Sequence, residues 1–328
     1  MKKLPSTLEA FAFALQHAPG VGNARLRRIL LQISQGKTLW SELHDLDART
    51  LQNRLALPPE AAHALCEPTH RTLDTWDKLK KRGVEIFVLG QSKYPKRLWQ
   101  LLDESAPPVL YCLGSSALFN LPAVGFCGSR KASQKGLCVA EDCAQLLAQE
   151  QINVVSGYAH GVDLAAHEGA LKAGGTTTFV LAEGILNFRL KQQIKIFMNQ
   201  SDFENMAVVS EFPPNLPWKA YNAMTRNRTI CGLSNALIVI ESGLEGGTFE
   251  AGKTALEIGE PLFCVDYADP AESASGNPYF LQHGAIRLRR SKSGRPNLSQ
   301  VAKVARNGIL AHAKSHNELL PSEDQTVQ

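Results

Sequence analysis

The chain has 328 residues, of which 44% are hydrophobic and 20% charged, and its net charge is only +4. This length suggests two domains and excludes a mini-protein, since a domain averages about 150 residues. Seven scattered cysteines without a Cys-x-x-Cys pair favour a reducing cytoplasm over a disulfide framework or a zinc module. No apolar run approaches the roughly 20 residues that a membrane helix needs, so we expect no membrane partner.

Residues 1–82 are predicted to form a helical domain without strands. Apolar side chains recur at helical spacing from Leu8 to Ile33, and Leu73, Trp76 and Leu79 form a later stripe. Segment 18–22, Ala-Pro-Gly-Val-Gly, makes a tight turn that leaves backbone N–H groups free to hold a DNA phosphate. The turn resembles a helix-hairpin-helix motif, and it fits a purely structural turn in a helical bundle equally well.

The pattern changes at Gly83, after which short apolar runs alternate with helical stretches. This alternation predicts an α/β fold, a doubly wound parallel sheet covered by helices on both faces. The predicted strands are 84–89, 123–127, 153–155, 177–181, 207–209, 236–240 and 261–265. The predicted helices are 136–149, 162–173, 190–199, 225–231 and 248–258. In such sheets, ligands bind beyond the carboxyl ends of the strands.

The turn after strand 123–127 carries small residues and two cations. It consists of Gly128, Ser129, Arg130 and Lys131. Small residues let the backbone approach an anion, the N-terminus of the following helix favours negative charge, and the Arg130 guanidinium adds several donors. The turn matches neither a dinucleotide fingerprint nor a Walker P-loop. We therefore expect a phosphate here, against the alternative of an ordinary turn with exposed charges.

The next predicted strand also ends in a turn of small residues that opens a helix. The candidate binding residues are Ser156, Gly157, His160, Gly161 and Asp163. The serine and the glycines suit an oxygen-rich ligand, and the aspartate can cap the helix or accept from a ligand hydroxyl. The two histidines of this segment are seven residues apart across a glycine, which does not favour a metal. We expect neither a metal nor a cofactor.

Two further turns fall at the same edge of the predicted sheet. Their candidate residues are Arg226, Asn227, Arg228, Gly246, Gly247 and Thr248. The two arginines are predicted to open a short helix and suit a phosphate, or else to pair with Glu211 or Glu241. Because the carboxyl ends of parallel strands share one edge, all of these turns should lie on one rim.

Beyond residue 265 the regularity fades. Residues 273–278 look like a loop, residues 298–310 predict one short helix, and the last dozen residues are predicted to be disordered. A basic run without an acidic residue comprises Arg287, Arg289, Arg290, Lys292 and Arg295. The predicted division is a helical domain 1–82, a core 83–290 and a basic-to-polar tail 291–328.

Four segments of the chain, taken in order, resemble the DNA-processing protein family called DprA or Smf. They are residues 128–131, 156–171, 210–214 and 226–234. The resemblance implies an extended Rossmann-like core that binds single-stranded DNA, forms a homodimer and helps to load a RecA-type recombinase during transformation. It also implies that six residues lie on the family's anion- and DNA-binding turns, namely Arg130, Lys131, Ser156, Gly157, Arg226 and Arg228. A sterile-alpha or helix-hairpin-helix module also fits the N-terminal residues.

The sequence departs from this family at several points. His160 stands where the family usually has arginine, residues 215–225 lack the usual spacing and proline content, and no winged helix is visible near the C-terminus. Residues 246–250 also look like part of the glycine-rich motif of LOG-type nucleoside-monophosphate phosphoribohydrolases.

The main hypothesis is therefore a non-enzymatic recombination mediator that binds single-stranded DNA. One alternative is a nucleotide sensor or phosphoribohydrolase that uses Glu241 and Glu250. Another is an interaction scaffold, for example a diverged paralogue acting in defence against mobile DNA. With a net charge of only +4, a DNA-binding surface has to come from local clustering of cations.

Overall fold

The N-terminal part of the chain is helical, as predicted. The computed structural model describes residues 4–38, 40–43, 45–197, 203–291 and 294–317, and no strand occurs among the described residues before Glu85. The α-helices of this part are α1 (Leu8–His17), α2 (Asn23–Ser34), α3 (Ala48–Leu55), α4 (Pro59–Cys66) and α5 (His70–Lys81). Thr7 and Thr69 cap α1 and α5, because each side chain accepts a hydrogen bond from a first-turn backbone N–H.

Nine strands form one sheet in the described part of the chain. They are β1 (Glu85–Val88), β2 (Val109–Gly114), β3 (Ala123–Cys127), β4 (Asn153–Ser156), β5 (Thr177–Val180), β6 (Met206–Ser210), β7 (Leu237–Val239), β8 (Leu262–Val265) and β9 (Ile286–Leu288). Each predicted strand is present, with bounds that differ by at most one residue at either end. The sequence analysis missed β2 and β9.

The order across the sheet is β1-β2-β6-β5-β4-β3-β7-β8-β9. The β1–β2 and β2–β6 pairs are antiparallel, and all other pairs are parallel. The order runs outward from β3 in both directions, so the topological switch point lies between β3 and β7. The α/β, doubly wound fold class is confirmed.

The remaining helices lie between strands of the sheet, except the last, which follows β9. They are α6 (Lys96–Leu102), α7 (Gln134–Gln149), α8 (Val162–Lys172), α9 (Gln192–Lys195), α10 (Ala220–Gly232), α11 (Gly247–Glu257), α12 (Asn277–Gln282) and α13 (Ser299–Asn317). Three predictions need correction. The predicted helix 190–199 shrinks to α9, with residues 198–199 outside the described residues. The predicted loop 273–278 runs into α12, whose first turn tolerates Pro278 because no N–H is needed there. The predicted short helix after residue 298 is the 19-residue α13.

Helices cover both faces of the sheet, which explains why its strands are apolar throughout. Val124 and Phe126 of β3 point to the face on which α7, α8 and α13 pack, and Ala123 and Cys127 point to the face of α10 and α11. This alternation follows from the two-residue period of a strand. Gly169 of α8 faces α7, where a Cβ would lie 2.5 Å from the Glu141 carbonyl oxygen.

The N-terminal helices share one apolar cluster with the antiparallel edge of the sheet. Phe13 and Leu26 are buried in the same cluster as Val109, Phe179 and Val208. At the other end of the chain, α13 buries Val301 and Ala305 against the β3 face. The boundaries at residues 82 and 290 stay predictions. The last dozen residues lie outside the described residues, apart from Asn317, the last residue of α13.

No helix in the described ranges is long and apolar enough to cross a membrane.

Candidate nucleic-acid interface

The turns after β3 and β4 lie against each other at the carboxyl edge of the sheet, on the rim that the sequence predicts. The Val162 N–H donates to the Ser129 carbonyl oxygen at 3.4 Å. Gly161 has a φ of +81°, and a Cβ there would lie 2.4 Å from the same oxygen. A Cβ on Gly128 would lie 2.4 Å from a methyl carbon of Val162. These glycines therefore allow the two turns to pack together, whether or not a ligand binds.

Arg226 is buried beneath this rim, with only 6% of the residue exposed. Its Nη1 donates to the Val180 carbonyl oxygen at 2.9 Å. A Cβ on Gly157 would lie 1.8 Å from Nη1 and 2.4 Å from Asp163 Oδ2, so guanidinium and carboxylate approach each other across the glycine. Burial lowers the pKa of Arg226, and the Asp163 and Glu211 carboxylates oppose that shift. Its Nε is buried without a hydrogen-bond partner among the described residues, which leaves one donor unused.

The prediction that Arg226 and Arg228 open a helix together is wrong. The helix α10 begins six residues earlier, at Ala220, so both arginines lie within the helix and not at its start. Residues two apart on a helix face different directions. Arg226 therefore points inward, and the exposed Arg228 donates to Ser105 Oγ at 3.1 Å.

A cavity of about 170 Å³ opens beside Arg226. Arg130 and Trp218 border it, and the Arg130 guanidinium lies over the indole ring, 5.4 Å from its centroid. On its other side Lys191 Nζ lies 4.4 Å from the centroid of Tyr158 and donates to the Tyr158 carbonyl oxygen at 2.8 Å. Such cation–π pairs place positive charge beside aromatic faces. We call this space the rim cavity.

Aromatic side chains continue outward from the rim cavity along the start of α10. Trp218 is 49% exposed and Tyr221 is 59% exposed, and Lys219 Nζ lies 5.7 Å from the Tyr221 ring centroid. The sequence analysis missed these residues, and also Tyr158 and Lys191. Their signal was present in the alternation Trp218-Lys219-Ala-Tyr221, since exposed aromatics among cations are typical of surfaces on which bases stack.

The N-terminus of α7, where the sequence predicts a phosphate, holds a carboxylate of the protein itself. Glu241, at the end of β7, is 1% exposed. Its Oε2 accepts from the Ser133 N–H at 2.8 Å and from Ser273 Oγ at 2.7 Å, and its Oε1 accepts from Ser133 Oγ at 2.5 Å. A Cβ on Gly136 would lie 2.4 Å from the carboxyl carbon. A carboxylate of the protein itself therefore occupies the topological switch point between β3 and β7. The prediction that a phosphate binds at this end of α7 needs correction, because Glu241 takes its place.

The remaining predicted residues of the turns fall into three groups. Ser156 is buried, and its hydroxyl donates to the Phe126 carbonyl oxygen at 2.7 Å, so it faces the sheet and not a ligand. Lys131 and His160 are exposed, and His160 lines the rim cavity. At the start of α11, Gly246, Gly247 and Thr248 lie beside α10, where Asn227 Nδ2 donates to the Gly247 carbonyl oxygen at 3.1 Å.

His167 is a buried structural residue. Its ring nitrogens lie 2.5 Å from the Gly157 carbonyl oxygen and 2.6 Å from Thr177 Oγ1. Burial lowers its pKa to about 3, so the imidazole is neutral. The described residues contain no group of three or more side chains that could hold a metal ion.

The N-terminal hairpin has free donors, but neighbouring carbonyl groups engage its arginines. The helix α2 begins after Gly22 without a side-chain cap. Arg25 donates to the Gly20 carbonyl oxygen at 2.6 Å, and Arg27 donates to that of Ala106 at 2.8 Å. These contacts favour a structural turn, and the rim cavity becomes the stronger candidate site.

Comparison with known proteins identifies the family of the chain. A family model described as DNA recombination-mediator protein A matches residues 85–294. The chain belongs to this family. Protein Smf of Synechocystis is 31% identical over 210 residues, which cover 63% of this chain and 52% of that protein. The chain thus spans about half the length of this curated relative.

Two solved structures share the fold. The X-ray structure of DNA processing protein A from Streptococcus pneumoniae has a TM-score of 0.68 at 23% identity, covering 87% of this chain and 95% of that one. A structure of DNA processing protein A from Helicobacter pylori, whose description concerns its single-stranded DNA binding mode, has a TM-score of 0.53 at 21% identity. It covers 71% of this chain and 96% of that one. At these identities the likeness concerns the fold alone.

Proposed function

We propose that the protein binds single-stranded DNA at the rim cavity. The observation that carries the proposal is the Arg130 guanidinium on the half-exposed ring of Trp218, beside the buried Arg226 with its unused Nε. Arg130, Lys131 and Arg228 would contact phosphates, and Trp218 and Tyr221 would stack on bases. Base–aromatic stacking contributes about 1–3 kcal/mol per base and tolerates any sequence.

The size and position of the site support a preference for a single strand. The volume of the rim cavity, about 170 Å³, suits one unpaired base and is too small for a base pair. Stacking on Trp218 and Tyr221 requires bases whose faces are free, and a duplex keeps those faces covered. The description of the Helicobacter pylori structure, which names single-stranded DNA binding, supports the same proposal for this fold.

The wider role that we propose is to pass single-stranded DNA to a RecA-type recombinase in the cytoplasm, as a homodimer. Membership of the recombination-mediator family supports it. Light scattering at micromolar concentration should give twice the mass of one chain, and a monomer would contradict the homodimer. In a pull-down, the immobilised protein with bound DNA should retain a RecA-type recombinase, and beads without the protein should not.

The phosphoribohydrolase alternative is not favoured, because both of its carboxylates already contact other side chains of the protein. Glu241 accepts three hydrogen bonds within the protein and is buried. Glu250 lies in the first turn of α11, with its Oε1 3.5 Å from Lys253 Nζ. A buried carboxylate that accepts both hydrogen bonds of Ser133, the N-cap residue of α7, is not free to activate water or to stabilise a ribosyl cation at an open site.

Equilibrium binding of a labelled oligothymidylate tests the proposed site. Trp218→Ala should weaken binding about 10- to 100-fold, as expected for one lost stacking contact, and Trp218→Phe should recover most of it. Arg130→Ala should weaken binding and reduce the slope of log K against log salt by about 0.7. Trp99→Ala is the matched control, since this tryptophan is also exposed but lies on α6, away from the rim.

Equal affinity in the parent, Arg130→Ala and Trp218→Ala would refute the site. That result is also what the interaction-scaffold alternative expects, because only that alternative assigns no function to the rim.

A further inference from the structure

A second cavity, of about 450 Å³, opens at the carboxyl ends of β8 and β9. Its volume falls in the range of about 300–1,000 Å³ that is usual for small-molecule sites. It lies on the same edge of the sheet as the rim cavity, since β3, β4, β8 and β9 all run in the same direction. Neither the predicted site nor the proposed function uses it. We call it the second cavity.

The walls of the second cavity combine apolar surface with one aromatic ring. Val139, Val265, Leu288 and Pro296 line it together with Tyr267. The four apolar side chains are buried or nearly so, and the ring gives a flat face on which a planar group can stack.

Three cations surround this apolar surface. Lys135, in the first turn of α7, places its Nζ 5.2 Å from the centroid of the Tyr267 ring. Arg289 and Arg290 line the opposite side. The backbone of Arg290 is held in place by an antiparallel bridge to Pro296, so the side chain starts from a fixed position.

The acidic residue of the second cavity is already neutralised. Asp266 accepts from Arg287 Nη1 at 3.0 Å and from Arg289 Nε at 2.7 Å. Among the described residues, Lys135 and Arg290 form no ion pair with a carboxylate. The basic run that the sequence places at 287–295 therefore splits into a part that balances Asp266 and a part that faces the second cavity.

We propose that the second cavity binds a further nucleotide of the same DNA strand, with the base against Tyr267 and the phosphate between Lys135 and Arg290. This inference rests on the proposed function, because it extends the strand that occupies the rim cavity. An apolar floor with one aromatic face and two unpaired cations fits a nucleotide unit better than a simple anion, which would need no apolar wall.

The distance between the two cavities suits a continuous strand. Three strand spacings separate β4 from β8 in the order of the sheet, which at about 4.8 Å each amounts to about 14 Å. Between them the switch point is closed by Glu241. The strand would therefore cross the closed switch point on the surface and touch the protein at both ends.

Binding of oligothymidylates of about 6 and about 20 nucleotides, lengths that bracket common site sizes, tests the inference. The variant carries Lys135→Ala and Arg290→Ala together. The matched control carries Arg54→Ala and Lys78→Ala, which remove the same charge from exposed ion pairs of the N-terminal helices. All four residues are exposed or nearly so, so an unchanged unfolding midpoint should accompany each variant.

The expected result is a loss confined to the longer strand. The double variant should bind the long oligonucleotide about tenfold more weakly, with a salt slope reduced by about 0.7 for the one phosphate that the two cations hold, and it should bind the short one as the parent does. A long-strand affinity equal to that of the control, or equal losses for both lengths, would overturn the inference while leaving the rim site intact.

Two further outcomes separate the alternatives. If the parent binds neither oligonucleotide, the proposed function itself fails. Free thymidine monophosphate should not displace the long strand. If it lowers the long-strand affinity to that of the short strand, the second cavity takes free nucleotides and the assignment to the DNA strand is overturned.

Discussion

Replacing Gly157 by alanine tests the buried centre of the candidate site. A Cβ at this position would lie 1.8 Å from Arg226 Nη1 and 2.4 Å from Asp163 Oδ2. Side-chain carbons are essentially never found so close to other heavy atoms, so the guanidinium must move. The φ of Gly157 is not in the left-handed region, so backbone strain does not contribute.

The expected cost follows from the contacts that the guanidinium would lose. Moving it towards the rim cavity breaks its hydrogen bond to the Val180 carbonyl oxygen and separates it from Asp163. A hydrogen bond to a charged group contributes about 1.5–3 kcal/mol. With the weakened attraction to Asp163, Gly157→Ala should lower the free energy of unfolding by about 2–4 kcal/mol.

Urea unfolding, followed by far-UV circular dichroism, measures this loss. Gly247→Ala is the matched control, because no atom lies within 4 Å of the added Cβ and the residue starts α11. Its effect should stay within about 0.5 kcal/mol. In an Arg226→Ala background, Gly157→Ala should cost clearly less, since the nearer of the two clashing groups is gone and only Asp163 Oδ2 remains close. An equal cost in both backgrounds would refute the proposed clash.

Two more predictions concern buried carboxylates. Glu241→Ala should lower the free energy of unfolding by about 3 kcal/mol, because it removes the acceptor of three donors, two from Ser133 at the start of α7 and one from Ser273. A loss as small as that of the exposed neighbour in Glu245→Ala would contradict the structural role of Glu241. Burial raises the pKa of Glu211 to about 7, above its unfolded value, so this carboxyl favours the folded state at low pH and the benefit disappears as pH rises towards 7. The difference in the free energy of unfolding between Glu211→Gln and the parent should therefore shift in favour of the variant by about 1–3 kcal/mol from about pH 5 to about pH 8. Denaturant unfolding at both pH values measures this shift, and the same difference at both pH values would exclude the raised pKa.

The sequence predicts the parallel part of the sheet well because burial on both faces demands apolar residues throughout. β3, for example, has the predicted bounds, since each of its five residues is buried. The missed β9 has only three residues, and its Arg287 points outward to Asp266. A strand this short that contains an arginine cannot be distinguished from the basic run around it by its sequence.

The candidate site is predicted by position, but not residue by residue. The shared rim follows from strand direction alone. The sequence cannot show that Arg226 is buried, because a guanidinium is usually exposed and its burial depends on Val180 and Asp163 arriving from distant segments. For the same reason, Glu241 looks like a free carboxylate until Ser133 and Ser273 are seen around it.

The N-terminal helices cover the part of the sheet next to its edge strand β1. β1 is the last strand of the sheet on its side, and an open edge strand is a template for pairing with other chains. Phe13 and Leu26 lie in one apolar cluster with Val88, so the helices pack over this end of the sheet. A chain cut at Gly83 would leave apolar side chains bare beside an unpaired edge. We therefore expect the helical region to protect the sheet from aggregation, whether or not its hairpin binds DNA.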